Sequence, residues 1–141
     1  MIYAMAEAEP QRASRSKRTA DVDRKRVLVI DDALPVRGML AAALRQHGFQ
    51  VLLAGDGAEG QRALNIHNPD IVLLDLAMPE VNGWDFLQRL QETGHLGKVK
   101  IIVLSAHLHV DPHAVLQMGV SAILPKPFNL GELIDLIEHL S

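Results

Sequence analysis

Ile71-Val72-Leu73-Leu74-Asp75-Leu76-Ala77-Met78-Pro79-Glu80-Val81-Asn82-Gly83 is the stretch whose reading decides the fold. Four apolar residues run into an acid, and a proline and an Asn-Gly turn signal follow. A continuous apolar run of this kind predicts a strand buried on both faces, as in parallel sheets. A carboxylate at its end falls on the rim of the sheet, where open α/β folds place their chemistry.

The same grammar repeats on either side. Arg26-Val27-Leu28-Val29-Ile30 reads as a first strand, ending in Asp31-Asp32. Pro35 suits a first helical turn. Val36, Met39, Leu40, Ala43 and Leu44 recur at helical spacing, and Gly48 closes that helix. Gln50 to Ala54 is the second strand. A second helix spans about Ala58 to Asn65, before Asn68-Pro69. Ile71 to Asp75 is the third strand. The third helix starts near Gly83-Trp84 and ends by Gly94. Lys100 to Leu104 is the fourth strand, followed by Ser105-Ala106.

Asp111-Pro112 opens a fourth helix, which Gly119 ends. Ala122-Ile123-Leu124 is the fifth strand and leads into Lys126-Pro127. Asn129 caps the fifth helix. Glu132 completes a capping box, and Phe128 with Leu133 forms a hydrophobic staple. Leu133, Ile134, Leu136, Ile137 and Leu140 supply its buried stripe. Five βα units joined by short loops predict a doubly wound α/β domain over 26–141, with a parallel sheet covered on both faces.

The 141 residues contain no cysteine, so disulfides, thiolate metal sites and a cysteine nucleophile are excluded. Aromatic residues make up 4%, too few for a base-stacking surface. No apolar run approaches the ~20 residues of a membrane span, and no secretory signal is present. The expected location is cytoplasmic. Residues 1–26 carry a net charge of +3 and the remainder −6. An acidic domain behind a basic leader argues against direct nucleic-acid binding. Residues 1–25 lack any apolar period and read as a disordered leader. Met5 offers an alternative start.

The predicted strand ends carry Asp31, Asp32, Asp75, Ser105 and Lys126. With the first strand central, they converge on one rim. Three carboxylates at close range repel, and a hard divalent cation relieves this. Oxygen-only ligands suit Mg²⁺. Lys126 adds a mobile positive charge, and Ser105 adds a hydroxyl donor. The chemistry that fits is phosphoryl transfer onto Asp75. Taken singly, each residue has a blander reading. Asp31-Asp32 could cap the first helix, Asp75 could cap a turn, and Ser105 and Lys126 could be ordinary surface groups. His107, His109 and His113 read as a solvated loop rather than a metal site. Trp84, Met39, Met78 and Met118 read as packing.

Val27-Leu28-Val29-Ile30-Asp31-Asp32, Asp75-Leu76-Ala77-Met78-Pro79 with Gly83, Ser105-Ala106 and Lys126-Pro127-Phe128, in that order, resemble the receiver domain of two-component response regulators. The resemblance implies a flavodoxin-like (βα)5 fold with a five-stranded parallel sheet in the order 2-1-3-4-5. It implies that Asp75 accepts phosphate from a sensor histidine kinase or phosphotransfer protein. Asp32 and Asp75 would ligate Mg²⁺ directly, Asp31 largely through water, and Ala77 through its backbone carbonyl. Ser105 would hydrogen-bond the phosphoryl group, Lys126 would pair with its oxygens, and the Lys126-Pro127 bond would be cis. The fourth helix, fifth strand and fifth helix would face a downstream protein partner.

Two positions depart from the common pattern. Ile123 stands where the family often has an aromatic switch residue. Lys126 is the sole Lys or Arg after residue 100, other residues of that kind being the usual salt-bridge partners for dimerisation through this face. A monomer or weak dimer, acting as a stand-alone receiver, is therefore expected. A small Mg-dependent aspartyl-phosphate phosphatase is the alternative. It would need an acid two residues after the nucleophile, where Ala77 stands. A flavin or nucleotide binder would need a Gly- or Ser/Thr-rich first loop instead of Asp-Asp-Ala-Leu-Pro.

Overall fold

Residues that alternate along each apolar run point to opposite faces of a sheet, so a run apolar throughout must be covered twice. The computed structural model describes residues 3–4, 24–76, 83–94, 97–105 and 111–141, and has this architecture. Its strands are β1 (Tyr3–Ala4), β2 (Arg26–Ile30), β3 (Gln50–Ala54), β4 (Ile71–Asp75), β5 (Lys100–Ser105) and β6 (Ala122–Pro125). Its helices are α1 (Leu34–Gln46), α2 (Gly57–His67), α3 (Gly83–Thr93), α4 (Pro112–Gln117) and α5 (Leu130–Leu140).

The sheet order is β1-β6-β5-β4-β2-β3. The five strands β3-β2-β4-β5-β6 are mutually parallel, which is the expected 2-1-3-4-5 order. Leu28, Ile30, Val72, Leu74, Ile101, Val103 and Ile123 face one core, with Leu64 of α2, Phe86, Leu87 and Leu90 of α3, and Val115 and Leu116 of α4. Val27, Val29, Ile71, Leu73, Ile102, Leu104, Ala122 and Leu124 face the other, with Leu40 and Leu44 of α1 and Leu133, Ile134, Ile137 and Leu140 of α5. Each such aliphatic side chain contributes about 1.5–3 kcal/mol on burial. Trp84 and Met118 pack against the first core as expected. Met39, read as packing, lies at the rim and is 46% exposed.

The helix ends follow local chemistry. Asp56 accepts the Glu59 N–H (2.8 Å), so α2 starts earlier than its apolar period suggests. It runs on to His67, where Asn68 takes a left-handed conformation (φ 48°). Asp111 caps α4 by accepting the His113 N–H, and Pro112 takes the first turn. Asn129 accepts the N–H groups of Gly131 and Glu132 at the start of α5. Gly48 (φ 90°) and Gly119 (φ 108°) supply the left-handed backbone that ends α1 and α4.

The sixth strand is an addition to the expected five. Tyr3 and Ala4, read as part of a disordered leader, pair antiparallel with Ile123 and Ala122. The last strand of a five-stranded sheet leaves a row of backbone donors and acceptors on its outer side, which attracts any extended segment within reach. Residues 5–23 of the leader lie outside the described residues. At its far end Lys25 belongs to the domain, its carbonyl accepting the Gln50 N–H (2.9 Å).

Candidate functional site

Because the five strands are parallel, their carboxyl ends share one edge. The register pairs Ile30 with Leu74, Asp75 with Leu104, and Ser105 with Pro125. Asp31, Asp75, Ser105 and Lys126 therefore fall at the same level. β2 has β3 on one side and β4 on the other, so the chain reverses its winding beside Asp31, which opens a crevice there.

Asp31, Asp75 and Ser105 are buried, and Asp32 is exposed. One ligand oxygen from each of Asp31, Asp32 and Asp75 lies within 4.8 Å of the others. Lys126 Nζ stands 3.2 Å from Asp31 Oδ2 and 3.7 Å from Asp75 Oδ2. The Lys126 N–H donates to the Ser105 carbonyl (2.8 Å), tying the lysine to the end of β5. The Lys126-Pro127 bond is cis, as the resemblance implies.

The two leading acids are not spent on capping α1. Ala33 is its N-cap and no side chain caps it. Asp31 Oδ1 accepts the Ala33 N–H (2.9 Å), which fixes the carboxylate while Oδ2 faces Lys126. The bland reading of Asp31-Asp32 as a cap therefore fails on geometry.

Two further residues hold the site, and neither stands out in the chain. Arg37 Nη1 donates to the Asp31 carbonyl (3.0 Å). It also lies 2.6 Å from where a Cβ on Gly55 would sit, so the glycine makes room for the guanidinium. Glu59 Oε1 accepts the Gly55 N–H (2.6 Å) and fixes the loop beyond. In sequence, Arg37 is only a polar residue among the apolar repeats of α1. Its role depends on folding that helix back over the end of β2.

Among the described residues, three carboxylates set against the Lys126 ammonium leave a formal surplus of two negative charges, the number a divalent cation cancels. Oxygens about 2.1 Å from a Mg²⁺ ion lie at most about 4.2 Å apart, so the observed spacing closes with small side-chain rotations. The residues present fit such an ion. Among the described residues this is the one cluster of acids and histidines with metal-binding spacing. His113 is exposed, while Ala77, Met78, His107 and His109 lie outside the described residues. No helix among the described residues is long and apolar enough to cross a membrane.

Comparison with known proteins agrees with the motifs. Residues 27–138 match the family described as the response regulator receiver domain. The transcriptional regulatory protein PrrA of Mycobacterium bovis is 39% identical over 116 residues, covering 82% of this chain and 49% of PrrA. The alkaline phosphatase synthesis transcriptional regulatory protein SphR of Synechococcus elongatus is 38% identical over 122 residues, covering 77% of this chain and 46% of SphR. This chain thus spans about half the length of the curated relatives it matches.

Among solved structures, the receiver domain of the Francisella response regulator 1452 superposes with a TM-score of 0.75 at 28% identity. The match covers 83% of this chain and 96% of that one. The response regulator TrrA of Thermotoga maritima, in complex with Mg²⁺-BeF, gives 0.73 at 28% identity over 83% and 99%. The chain belongs to the response regulator receiver domain family.

Proposed function

We propose that Asp75 accepts a phosphoryl group, with Mg²⁺ held by Asp31, Asp32 and Asp75, and that the phosphorylated domain presents an altered surface to a protein partner. The observation that carries this reading is the convergence of three carboxylates and one ammonium around Asp75, two surplus charges in a mostly buried crevice. Membership in the receiver family supports it, as does the Mg²⁺-BeF complex of TrrA.

A carboxylate oxygen of Asp75 attacks phosphorus in line, the bond to the donor nitrogen or oxygen breaks, and an acyl phosphate forms. Mg²⁺, when bound, would supply charge neutralisation for the phosphoryl oxygens. Lys126 already spans Asp31 and Asp75, so a small swing brings its ammonium to a phosphoryl oxygen on Asp75. The hydroxyl of Ser105 donates to another. Asp31 already accepts the Ala33 N–H and faces Lys126, which suits contact through water. Exposed Asp32 suits direct ligation, and the Ala77 carbonyl completes the set that the resemblance implies.

The domain acts as a switch rather than a turnover enzyme, because Ala77 offers no general acid for hydrolysing external esters. Its phosphodonor is a sensor histidine kinase or a phosphotransfer protein in the cytoplasm. The phosphoryl group adds charge and acceptor oxygens, which shifts the population between two surface states on the α4-β6-α5 face.

The test is intact-protein mass after incubation with acetyl phosphate and Mg²⁺. One added phosphoryl group, dependent on Mg²⁺ and absent in Asp75→Ala, is expected. A folded protein that gains none would overturn the assignment.

A further inference from the structure

We propose that the outer edge of β6 is a strand-docking site, and that its occupant is the chain's own amino-terminal segment Tyr3–Ala4, bound in cis. The inference concerns the sheet edge and stands apart from phosphorylation at Asp75.

The edge itself is unguarded. Ala122, Ile123 and Leu124 are buried aliphatics, with no lysine among them. Edges left like this pair with whatever extended segment comes near. The observed pairing sets Tyr3 opposite Ile123 and Ala4 opposite Ala122. Among the described residues, β3 at the opposite rim has no such partner, so the capture is particular to β6.

The segment that docks is suited to the task. Met1-Ile2-Tyr3-Ala4-Met5-Ala6 is apolar, ahead of a stretch dominated by charged and small polar residues. The basic leader and the acidic domain attract each other, since residues 1–26 carry +3 and the remainder −6. Pairing within one chain is within reach. Crossing from β2 to β1 takes four strand spacings, roughly 19 Å. The stretch 5–23 is long enough to cover roughly 60 Å fully extended, and pairing within one chain has the concentration advantage of any intramolecular contact.

The contact is also replaceable. Among the described residues, the ladder pairs two residues of a four-residue strand, Ala122 and Ile123. A longer strand from another molecule would form more of the ladder and displace the leader. The leader is thus a tethered competitor for the edge, and it disfavours edge-to-edge pairing of two copies.

The experiment compares the full chain, a Tyr3→Pro/Ala4→Pro variant and a chain beginning at Met5. Amide hydrogen exchange is read at 122–124 relative to Val72–Leu74, together with sedimentation across a concentration series. In both variants, exchange at 122–124 should rise roughly tenfold while β4 stays protected. The variants should also self-associate at concentrations where the full chain is monomeric. Unchanged protection at 122–124 would overturn the docking site. Protection in the full chain that fades on dilution, together with a dimer, would overturn the cis assignment in favour of a second copy's leader. Variants that remain monomeric would overturn the competitor role. None of these readouts involves Asp75 phosphorylation, so failure here and failure of the phosphoacceptor reading are distinguishable.

Discussion

Lys126 Nζ lies closer to Asp31 Oδ2, at 3.2 Å, than to Asp75 Oδ2, at 3.7 Å. The lysine is therefore held by the acid beside the proposed phosphoacceptor, and the proposed phosphorylation would require it to change partners. Lys126→Ala removes an ammonium in contact with two buried carboxylates. We expect it to lose about 1–3 kcal/mol of stability without metal, discounted because the lysine is partly exposed. Saturating Mg²⁺ should restore part of this loss, and the rate of phosphorylation by acetyl phosphate should still fall by roughly tenfold or more. Denaturant melts with and without Mg²⁺, alongside mass spectrometry, separate the two effects.

Crowding of like charge gives the opposite sign at Asp75. Asp75→Asn removes one of three mutually repelling carboxylates and keeps the side-chain shape. In EDTA this variant should be more stable than the wild type by about 1–2 kcal/mol. Its gain in melting temperature on adding Mg²⁺ should shrink sharply. A variant less stable than the wild type in EDTA would mean that the pairing with Lys126 outweighs the repulsion.

Metal binding should itself appear as stability. With Mg²⁺ at about 100 times its dissociation constant, the native state gains about 2.7 kcal/mol, and chelation reverses the gain. Asp32→Ala, at an exposed position, should leave the metal-free melt nearly unchanged and abolish most of the Mg²⁺-induced shift.

Arg37 is a positioning residue in this arrangement, since it contacts the Asp31 backbone rather than a ligand. Arg37→Met keeps most of the stem packing and removes the donor. Mg²⁺ affinity measured by titration calorimetry should weaken by roughly tenfold, about 1.4 kcal/mol, while the fold is retained. Gly55→Ala should act in the same direction, because a Cβ there displaces the guanidinium.

Gly60 of α2 is fixed by its neighbours. A Cβ at this position would lie 2.5 Å from Ile30 Cδ1 and 3.3 Å from Phe86 Cε1. Gly60→Ala should cost about 1–3 kcal/mol from overpacking, after offsetting the ~1 kcal/mol gain in helix propensity. Adding Ile30→Val should recover part of the loss in a double-mutant cycle.

Much of this was legible in the chain, for definite reasons. Strands that must be buried on both faces appear as unbroken apolar runs, so β2 and β4 were bounded to the residue, and β5 and β6 each extend by one; the partly buried edge strand β3 was bounded by its own apolar run. The acids and the lysine that follow those runs could be placed on one rim because parallel strands put all their ends together. Helix ends were less legible. The end of α2 is set by the left-handed backbone of Asn68 rather than by its apolar period. Arg37 and the Tyr3–Ala4 strand could not be read at all, because both depend on which remote backbone groups the finished fold leaves within reach.

Neighbouring residues of β5 belong to opposite cores, Val103 to one and Leu104 to the other, and Ser105 follows at the end of the same ribbon. The sheet is thus a shared wall between two closely packed rooms. A pull on Ser105 that shifts the end of β5 cannot be absorbed on one side alone, since close-packed interiors yield by exchanging one fit for another rather than by stretching. The transmitted signal should therefore be stepwise, with α3 and α4 on one side and α5 on the other changing together, so that a partner reads a yes or a no instead of a shade between them.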